Sequence, residues 1–585
     1  MKIYGIIYQI VVKYPYLLFC NKGKYLVRLK GEQLMIILAI IVISSIIIWS
    51  IYKRNKKKKI EILRIKNTWD IVSLKDSSNT DLEILREEYK TFLASNDGID
   101  SLTWDDLEMD KVFLQMNFTS SIAGESYLYE LLHKPNFEEE ELEERNRVIE
   151  ILTQSDSLRT RLQHNLSKIG SRCGRSLYDY LLNCEDLKAP QTWPHIICII
   201  LLFLSIGLIF IMRTVGILLF FLNLSFSLYL YFKDRVKIER DLPLIRIVGN
   251  MLIAANDLSK ITDSHLMCYF EKIKFSQKLC KQFKRTIRAI CSGVSTIASD
   301  IDLVSDYIRV LTHLDIILYN SYIKKLRASY QELILLYQIV GFLDSMVAVA
   351  KYRKNQLYFC TPNFTDTLSI VTKDIYHPLI QDAVTNDFTG ARSTLITGSN
   401  ASGKSTFLRT IGINALLAQT IYTVHATYFE TNFFHIHTSI SLKDDLEQQE
   451  SYYMAEIKAL KRIFDSAREG NKVLCLVDEV LKGTNTLERI AASTEILKDL
   501  LQFQVLCIAA THDMELTKLL SNIYKNMHFK EILTDNELQF DYRIKEGICP
   551  SGNAIKLLEL MGFSSELIQN SKERISNFKE KGTWY

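Results

Sequence analysis

Two long apolar blocks stand apart from the rest of the chain. The first, LMIILAIIVISSIIIWSIY at 34–52, is uncharged, and at about 1.5 Å per residue it matches a hydrocarbon core of roughly 30 Å. It is too long for a strand and has no polar face, so it predicts a transmembrane helix over 33–52. The second block, 193–232, is interrupted by Arg213 with Gly216 nearby. It predicts two spans joined by a short turn, a transmembrane hairpin.

Basic residues follow both blocks. The stretch KRNKKKK covers 53–59, and KDRVKIER covers 233–240. Because Lys and Arg concentrate on the cytoplasmic side of membranes, the C-terminal ends of both apolar blocks are expected in the cytoplasm. The pattern predicts a multi-pass protein of the inner (cytoplasmic) membrane, with everything from Lys233 onward in the cytoplasm. Residues 1–32 form a basic segment that weakens an outside start, and one hypothesis is that Met35 is the true initiator.

Helical periodicity dominates the middle of the chain. From 250 to 353 the apolar residues recur at helical spacing, with a break at SGVS. The low Pro content (8) favours long helices. We therefore expect a juxtamembrane stretch and the first part of a helical core at 53–192, core or lever arms at 233–355, and an α/β domain at 356–585. The same periodicity also fits a generic helical bundle.

Length, charge and cysteine usage exclude some classes of protein. A chain of 585 residues exceeds a single core and predicts several domains. The net charge of +4 gives no global electrostatic case for a nucleic-acid binder, so such a role must rest on local patches. The eleven Cys show no CxxC pair, which argues against a zinc site or redox dithiol, and their odd number favours a reducing compartment.

A glycine-rich stretch, GSNASGKST at 398–406, follows the β-type run STLIT and precedes a helical pattern. In the order strand, loop, helix, the spacing G-x-x-x-x-G-K-S surrounds phosphates with backbone N–H groups. Lys404 would reach the β- and γ-phosphate oxygens, and the Ser405 hydroxyl would bind Mg²⁺. The expected cofactors are ATP and Mg²⁺. The residues expected around the nucleotide are Gly398, Ser399, Asn400, Ala401, Ser402, Gly403, Lys404, Ser405 and Thr406.

Two more apolar strands end in polar residues. KVLCLVDE at 472–479 reads as a buried parallel strand, with Asp478 placed to hold Mg²⁺ and Glu479 to polarise the attacking water. VLCIAATHD at 505–513 places His512 where it could sense the γ-phosphate or orient the water. A lone His is more often structural, but its position after these motifs favours a role. Three strand ends at one phosphate predict a doubly wound α/β ATPase.

The order of the motifs carries a family resemblance. TGSNASGKST is followed by DDLEQQESYYMAE (444–456), VDEVLKGTNT (477–486) and ATHDMEL (510–516). This set resembles the ATPase domain of the MutS DNA mismatch-repair family. The predicted fold is thus an α/β P-loop ATPase domain of the ABC and MutS type, preceded by a long all-α core or lever region and transmembrane helices. The resemblance implies a homodimer in which Ser451 meets the γ-phosphate bound by the other subunit. It also implies a catalytic set of Glu479, His512, Lys404 and Ser451.

Several positions depart from the family pattern. Ser399, Ala401 and Ser402 replace Pro, Met and Gly of the loop. Gln449 replaces a Gly, and Leu481 and Lys482 replace Gly and Arg. These changes bear on coupling more than on nucleotide binding. A mismatch-reading domain is not expected, because the N-terminal space holds a membrane span. Phe137-Glu138-Glu139 fits the family's wedge pattern, but its acidic surroundings would repel phosphate.

The leading interpretation is a membrane-anchored MutS-like ATPase that binds and hydrolyses ATP at a dimer interface and moves its helical arms. One alternative is a DNA-binding repair or recombination ATPase whose arms hold the backbone without base or mismatch readout. Another is an ABC-type transport component, for which three spans with one isolated Arg offer little substrate path. The bilayer is an expected partner, and a protein partner of the arms stays unidentified.

Overall fold

The structure, a computed structural model, divides into two units, residues 1–72 and 73–585. It describes residues 18–21, 25–28, 31–71, 79–92, 98–291, 307–399, 402–440, 452–533, 538–549, 555, 558–559 and 561–582.

A single helix dominates the first unit. After a short antiparallel pair, β1 (Leu18–Asn21) and β2 (Tyr25–Arg28), helix α1 runs through 38 residues from Gly31–Thr68. It contains both the apolar run and the basic run that follows it. Apolar side chains along it, including Ile41 and Trp49, are more than half exposed. The segment 33–52 is therefore an uninterrupted helix, and those of its apolar side chains that the structure describes, such as Ile40, Ile48 and Trp49, are exposed.

Helices make up the first half of the second unit. They are α2 (Asn79–Phe92), α3 (Ser101–Asp106), α4 (Met109–Met116), α5 (Ile122–His133), α6 (Glu139–Gln154), α7 (Asp156–Leu166), α8 (Leu177–Leu182), α9 (Thr192–Ile211), α10 (Arg213–Leu258), α11 (Met267–Lys272), α12 (Ser276–Cys291), α13 (Leu314–Ala328) and α14 (Tyr330–Lys354).

Helices α9 and α10 form a tight hairpin. The chain reverses at Met212, and Gly216 allows the close approach, since a Cβ there would lie 2.4 Å from the Ile209 nitrogen. In the described residues, three helices, α9, α10 and α14, are long and apolar enough to cross a membrane. The apolar window of α14 is 78% buried inside the protein, which makes α14 a core helix, whereas those of α9 and α10 are 22% and 17% buried.

Helix α10 extends far beyond its apolar half. The whole helix has 46 residues, and its second half passes through Pro243, which cannot donate a helical hydrogen bond. Just before the proline, the fully buried Asp241 accepts hydrogen bonds from Arg175 and from the hydroxyl of Tyr319. These contacts attach α10 to the helical core at that level.

The α/β region follows α14 and contains two sheets. Its elements are β3 (Asn363–Phe364), β4 (Ile370–Ile375), β5 (Asn386–Gly390), β6 (Thr394–Thr397), α15 (Lys404–Ile421), β7 (Tyr428–Thr431), β8 (His435–Ser439), α16 (Tyr452–Arg468), β9 (Val473–Asp478), α17 (Thr486–Leu500), β10 (Val505–Ala510), α18 (Met514–Leu519), β11 (Lys525–Leu533), β12 (Leu538–Glu546) and α19 (Ser565–Lys581).

The larger sheet places three polar strand ends side by side. Its order is β12-β11-β6-β10-β9-β8, parallel except for the antiparallel edge strand β12. The smaller sheet has the order β3-β7-β4-β5. Because β10 lies between β6 and β9, its carboxyl end falls between the glycine-rich loop and the two carboxylates at the end of β9. Strands β9 and β10 are buried almost throughout, as their continuous apolar runs predict, and the short strand β6 is also buried.

Helix α15 joins this sheet to the helical core. It is almost completely buried, and two guanidinium groups from the core bind the carbonyls at its C-terminal end. Arg353 donates to the carbonyls of Ile421 and Tyr422, and Arg145 donates to the carbonyl of Thr420. Cations at this end also interact favourably with the helix dipole. The C-terminal end of α15 is thus fixed to α14 and α6.

Candidate functional site

The loop between β6 and α15 adopts backbone conformations that favour glycine. Gly403, with φ 104°, lies in the left-handed region and caps α15. At Gly398, a Cβ would lie 2.8 Å from the Ser402 hydroxyl. Asn400 and Ala401, which are expected to contact the nucleotide, lie outside the described residues.

Lys404 is buried in this loop. Its Nζ donates to the carbonyls of Gly398 and Ser399, both at 2.8 Å, and lies 3.1 Å from His512 Nε2. The side chain is therefore folded over the loop, with three neighbours around its ammonium group. Two buried hydroxyls of the same loop, Ser399 Oγ and Ser402 Oγ, have no hydrogen-bond partner among the residues that the structure describes. Together these groups offer a cation and two free hydroxyls to an anion.

The polar ends of β9 and β10 meet this loop. The Ser405 hydroxyl donates to Asp478, the last residue of β9. The next residue, Glu479, is anchored by its backbone N–H to the carbonyl of Ala510, 2.9 Å away. Its Oε1 lies 3.1 Å from His512 Nε2. The structure thus brings Lys404, Ser405, Asp478, Glu479 and His512 to one place.

His512 can make only one of its two close contacts as a hydrogen bond at a time, because both use the same nitrogen. Its Nε2 faces both Lys404 Nζ and Glu479 Oε1. A protonated Nε2 donates to the carboxylate, whereas a bare Nε2 accepts from the lysine. Since the hydrogen bond from His512 lowers the pKa of Glu479 to about 2, helped by Lys482, the carboxylate is ionised at neutral pH. Its negative charge favours the tautomer that carries the hydrogen on Nε2 and donates it to Glu479.

The site encloses a cavity of about 370 Å³. Residues from the loop, from both strand ends and from β12 line it: Ser402, Gly403, Lys404, Ser405, Thr406, Asp478, Glu479, Lys482, His512 and Tyr542. This volume is within the range of small-molecule sites. Eight of these residues are predicted from the sequence. Lys482 and Tyr542 are additional.

Tyr542 is placed beside the loop by long-range contacts. Its ring lies 3.2 Å from the position of a Cβ on Gly403. The side chain of Asn386 donates to its carbonyl and accepts from the N–H of Ile544, across a kink where Tyr542 has φ 51°. An exposed ring at this point can stack on a planar base. No local sequence signal marks it, because it depends on a strand contact with residue 386.

A strained segment follows β9. Glu479 and Leu481 have φ of 63° and 58°, left-handed values that cost about 1 kcal/mol each for residues other than glycine. The buried carboxylate of Glu456, on α16, accepts the backbone N–H groups of Lys482 and Gly483 at 3.0 and 3.2 Å. This contact fixes the segment to α16. Ser451, which directly precedes α16, lies outside the described residues.

The donor groups suit a magnesium triphosphate. Mg²⁺ prefers oxygen ligands and usually takes one or two from protein and the rest from phosphate and water. The adjacent Ser405 hydroxyl and Asp478 carboxylate fit that pattern. Clusters of three or more His, Cys, Asp or Glu able to hold a metal do not occur within the described ranges. Lys404, the two unpartnered hydroxyls and the loop N–H groups fit the phosphates.

Known proteins resemble this part of the chain. Residues 394–579 match the family model of MutS domain V. The protein "MutS protein homolog 4" of Homo sapiens is 30% identical over 272 residues, which is 43% of this chain and 28% of the relative. "DNA mismatch repair protein MutS" of Thermus thermophilus is 31% identical over 244 residues, 41% and 30% of the two chains.

The similarity is confined to part of each relative. The MutS protein of Petrotoga mobilis is 34% identical over 192 residues, or 32% of this chain and 23% of the relative. The chain therefore matches less than a third of the length of these relatives. The residues that line the cavity all fall within 394–579, the part of the chain that is similar to MutS domain V.

Proposed function

We propose that the chain is a membrane-anchored MutS-like ATPase, which binds and hydrolyses ATP between two copies and couples hydrolysis to movement of its helical arms. The observation that supports this proposal is the convergence of Lys404, Ser405, Asp478, Glu479 and His512 on one cavity. These groups match the needs of phosphoryl transfer, which depends on positioning and charge neutralisation.

Each residue of the site has a separate role in hydrolysis. Lys404 and the loop N–H groups hold the β- and γ-phosphates, and the ring of Tyr542 stacks on the base. Ser405 and Asp478 would hold Mg²⁺, which supplies further charge neutralisation. Glu479 and His512 position the water. Its oxygen bonds to the γ-phosphorus, the bond to the β–γ bridging oxygen breaks with its electron pair leaving on ADP, and Glu479 takes the proton.

A test of the shared site uses two damaged chains. Lys404→Ala should abolish turnover, and Ser451→Ala should lower it. In a dimer of either variant, every site lacks one group: the lysine that holds the phosphates, or the serine that the other subunit contributes. When the two variants are co-expressed, half of the dimers are mixed, and each mixed dimer has one intact site. We expect about a quarter of wild-type turnover to return, measured as phosphate release by the detergent-solubilised full chain.

The matched control pairs Lys404→Ala with the Lys404→Ala/Ser451→Ala double variant, which cannot rebuild a site. No recovery in the first mixture, with mixed dimers demonstrated by two affinity tags, would contradict a site shared between subunits. Recovery in both mixtures would contradict the assignment of Lys404.

Membrane anchoring is supported by the apolar exteriors of α1 and of the α9–α10 hairpin. Phe210 and Ile211 at the hairpin tip are 86% and 82% exposed, which is costly in water. The basic runs after each block would then face the cytoplasm with the ATPase region. Release of the full chain from membranes by an alkaline carbonate wash would contradict this part of the proposal.

A second candidate function, DNA binding, is favoured by one surface. Helix α12 buries an apolar face and exposes Lys278, Lys281, Lys284, Arg285 and Arg288. Within the described part of the chain, no salt bridge joins these five cations to a carboxylate. Contact of all five with phosphates would give duplex binding a log–log salt slope of about −4.5. Absence of duplex binding at low salt would exclude this candidate.

A further inference from the structure

Three neighbouring elements hold the turn that follows β9, residues 479–483. The first N–H group of this post-β9 turn donates to the carbonyl of Ala510, at the end of β10, 2.9 Å away. The hydroxyl of Ser493, on α17, donates to the carbonyl of Val480 at 3.0 Å. The third anchor comes from α16, where the carboxylate of Glu456 accepts two backbone N–H groups. The turn is thus attached near its start to β10 and α17, and at its end to α16.

The anchor on α16 depends on a charged group. Glu456 is 3% exposed, and its two oxygens accept the N–H groups of Lys482 and Gly483 at 3.0 and 3.2 Å. A carboxylate accepts both bonds at once, whereas the amide of glutamine has one acceptor oxygen and would turn its NH₂ group toward the other N–H. Hydrogen bonds to a charged acceptor are also stronger than those between neutral groups. The negative charge of Glu456 therefore holds the end of the turn.

The post-β9 turn needs this anchor because its backbone is strained. Glu479 and Leu481 have left-handed φ values of 63° and 58°. Residues other than glycine keep such a conformation only where the surrounding contacts hold it. If the bonds to Glu456 are lost, the backbone can relax toward ordinary φ values. The side chain of Glu479 would then move with the backbone that carries it.

The first residue of the turn is also the one that acts on water in the proposed reaction. Glu479 Oε1 lies 3.1 Å from His512 Nε2, and both residues line the cavity. Alignment of reacting groups is demanding, since a shift of about 1 Å can lower a rate about 100-fold. Nucleotide binding depends mainly on the loop before α15, whose N–H groups surround the phosphates. A displaced turn would thus slow turnover far more than it weakens binding.

We propose that Glu456 is a positioning residue, which holds the post-β9 turn to α16 and thereby keeps Glu479 aligned with the attacking water. This inference rests on the proposed ATPase function. Glu456 is not among the described residues that line the cavity, so it acts through the backbone of the turn. It also ties Glu479 to the helix that Ser451 directly precedes.

The test compares turnover with nucleotide affinity in a variant of nearly the same shape. Phosphate release under single-turnover conditions and the Kd of AMP-PNP, a non-hydrolysable ATP analogue, are measured for the full chain, Glu456→Gln, Glu479→Gln and the double variant. We expect Glu456→Gln to lower turnover per bound nucleotide about 30-fold and to leave the Kd of AMP-PNP within about twofold. Unchanged turnover in this variant would overturn the proposal.

The double variant shows whether Glu456 acts through Glu479. Once the carboxylate at position 479 has been removed, its alignment no longer affects the rate. The double variant should therefore turn over within about twofold of Glu479→Gln alone. A further loss of about 30-fold would mean that the two residues act independently, and it would overturn the proposal.

A second variant disturbs the same contact without removing a buried charge. A Cβ on Gly483 would lie 3.2 Å from the Cβ of Tyr453, on α16, so the turn and α16 must separate by a few tenths of an ångström. Gly483→Ala should lower turnover about threefold and leave AMP-PNP binding unchanged. In the Glu479→Gln background this loss should disappear. An undiminished loss there would overturn the proposal even if Glu456→Gln fails to fold.

A matched control comes from α14. The carboxylate of Asp344 is fully buried, accepts the N–H groups of Ser120 and Ser121 at 3.0 and 2.8 Å, and lies outside the described cavity lining. Asp344→Asn should leave turnover per bound nucleotide unchanged, and a loss as large as that of Glu456→Gln would overturn the proposal. If the wild-type chain binds no AMP-PNP, or if Lys404→Ala turns over normally, the ATPase proposal fails and this inference with it. Independent losses in the double variant would instead overturn the inference alone.

Discussion

Replacing Glu479 with glutamine is expected to lower ATP turnover about 10³-fold and to leave nucleotide binding intact. Glutamine has the same shape and can keep a contact with His512, but it cannot take a proton from the attacking water. The measurement is steady-state phosphate release beside equilibrium binding of ATP by the full chain. Full turnover in this variant would show that another group serves as the base.

Two comparisons sharpen this result. Glu495→Gln changes an exposed carboxylate on α17 and should leave turnover unchanged, since its contact is with Lys498 and not with the cavity. Turnover of wild type with and without duplex DNA, measured beside Glu479→Gln, separates the two candidate functions. Stimulation that disappears in the variant would favour a DNA-dependent ATPase.

Replacing Arg353 with alanine is expected to destabilise the second unit by about 3 kcal/mol. Its buried guanidinium donates to Thr423 Oγ1 and Asn146 Oδ1, as well as to the two carbonyls at the end of α15. Hydrogen bonds from a charged donor contribute about 1.5–3 kcal/mol each. Burial offsets part of this gain, since it lowers the pKa of Arg353 to about 10.

The measurement for Arg353 is chemical or thermal unfolding of the solubilised chain, followed by the fluorescence of its tryptophans. Arg468→Ala is the control, because Arg468 is 60% exposed and its nearest carboxylate oxygen is 3.7 Å away. The control should change stability by less than about 0.5 kcal/mol. An equal loss in both variants would mean that the buried contacts of Arg353 contribute nothing specific.

The polar residues at the strand ends could be predicted because the sequence pattern that marks them lies in the same short stretch of chain. Continuous apolar runs mark strands β9 and β10; Asp478 and Glu479 stand at the end of the first run, and His512 follows the second. The expectation that these ends meet needs only the rule that parallel strands share one edge. The structure places His512 within hydrogen-bond distance of Glu479 and Lys404, and Asp478 within hydrogen-bond distance of Ser405.

Long-range contacts could not be predicted in the same way. Tyr542 reaches the cavity through a strand contact with Asn386, 156 residues away, and no motif records that pairing. The Lys482–Glu479 contact depends on left-handed backbone at Glu479 and Leu481, where residue type favours other conformations. Composition also misleads for α14, which is apolar enough for a membrane span but fills the core. Whether such a helix is buried in protein or exposed depends on the helices that pack around it, which composition does not reveal.

The uninterrupted course of α10 implies mechanical amplification. Pro243 removes a backbone donor at one point, near the level at which Asp241 attaches the helix to the core, so bending is easiest there. The part of α10 before the proline is about 45 Å long, and a tilt of about 10° at that joint would sweep its far end through roughly 8 Å. A small rotation of the core would thus produce a much larger displacement of the apolar tip of the hairpin.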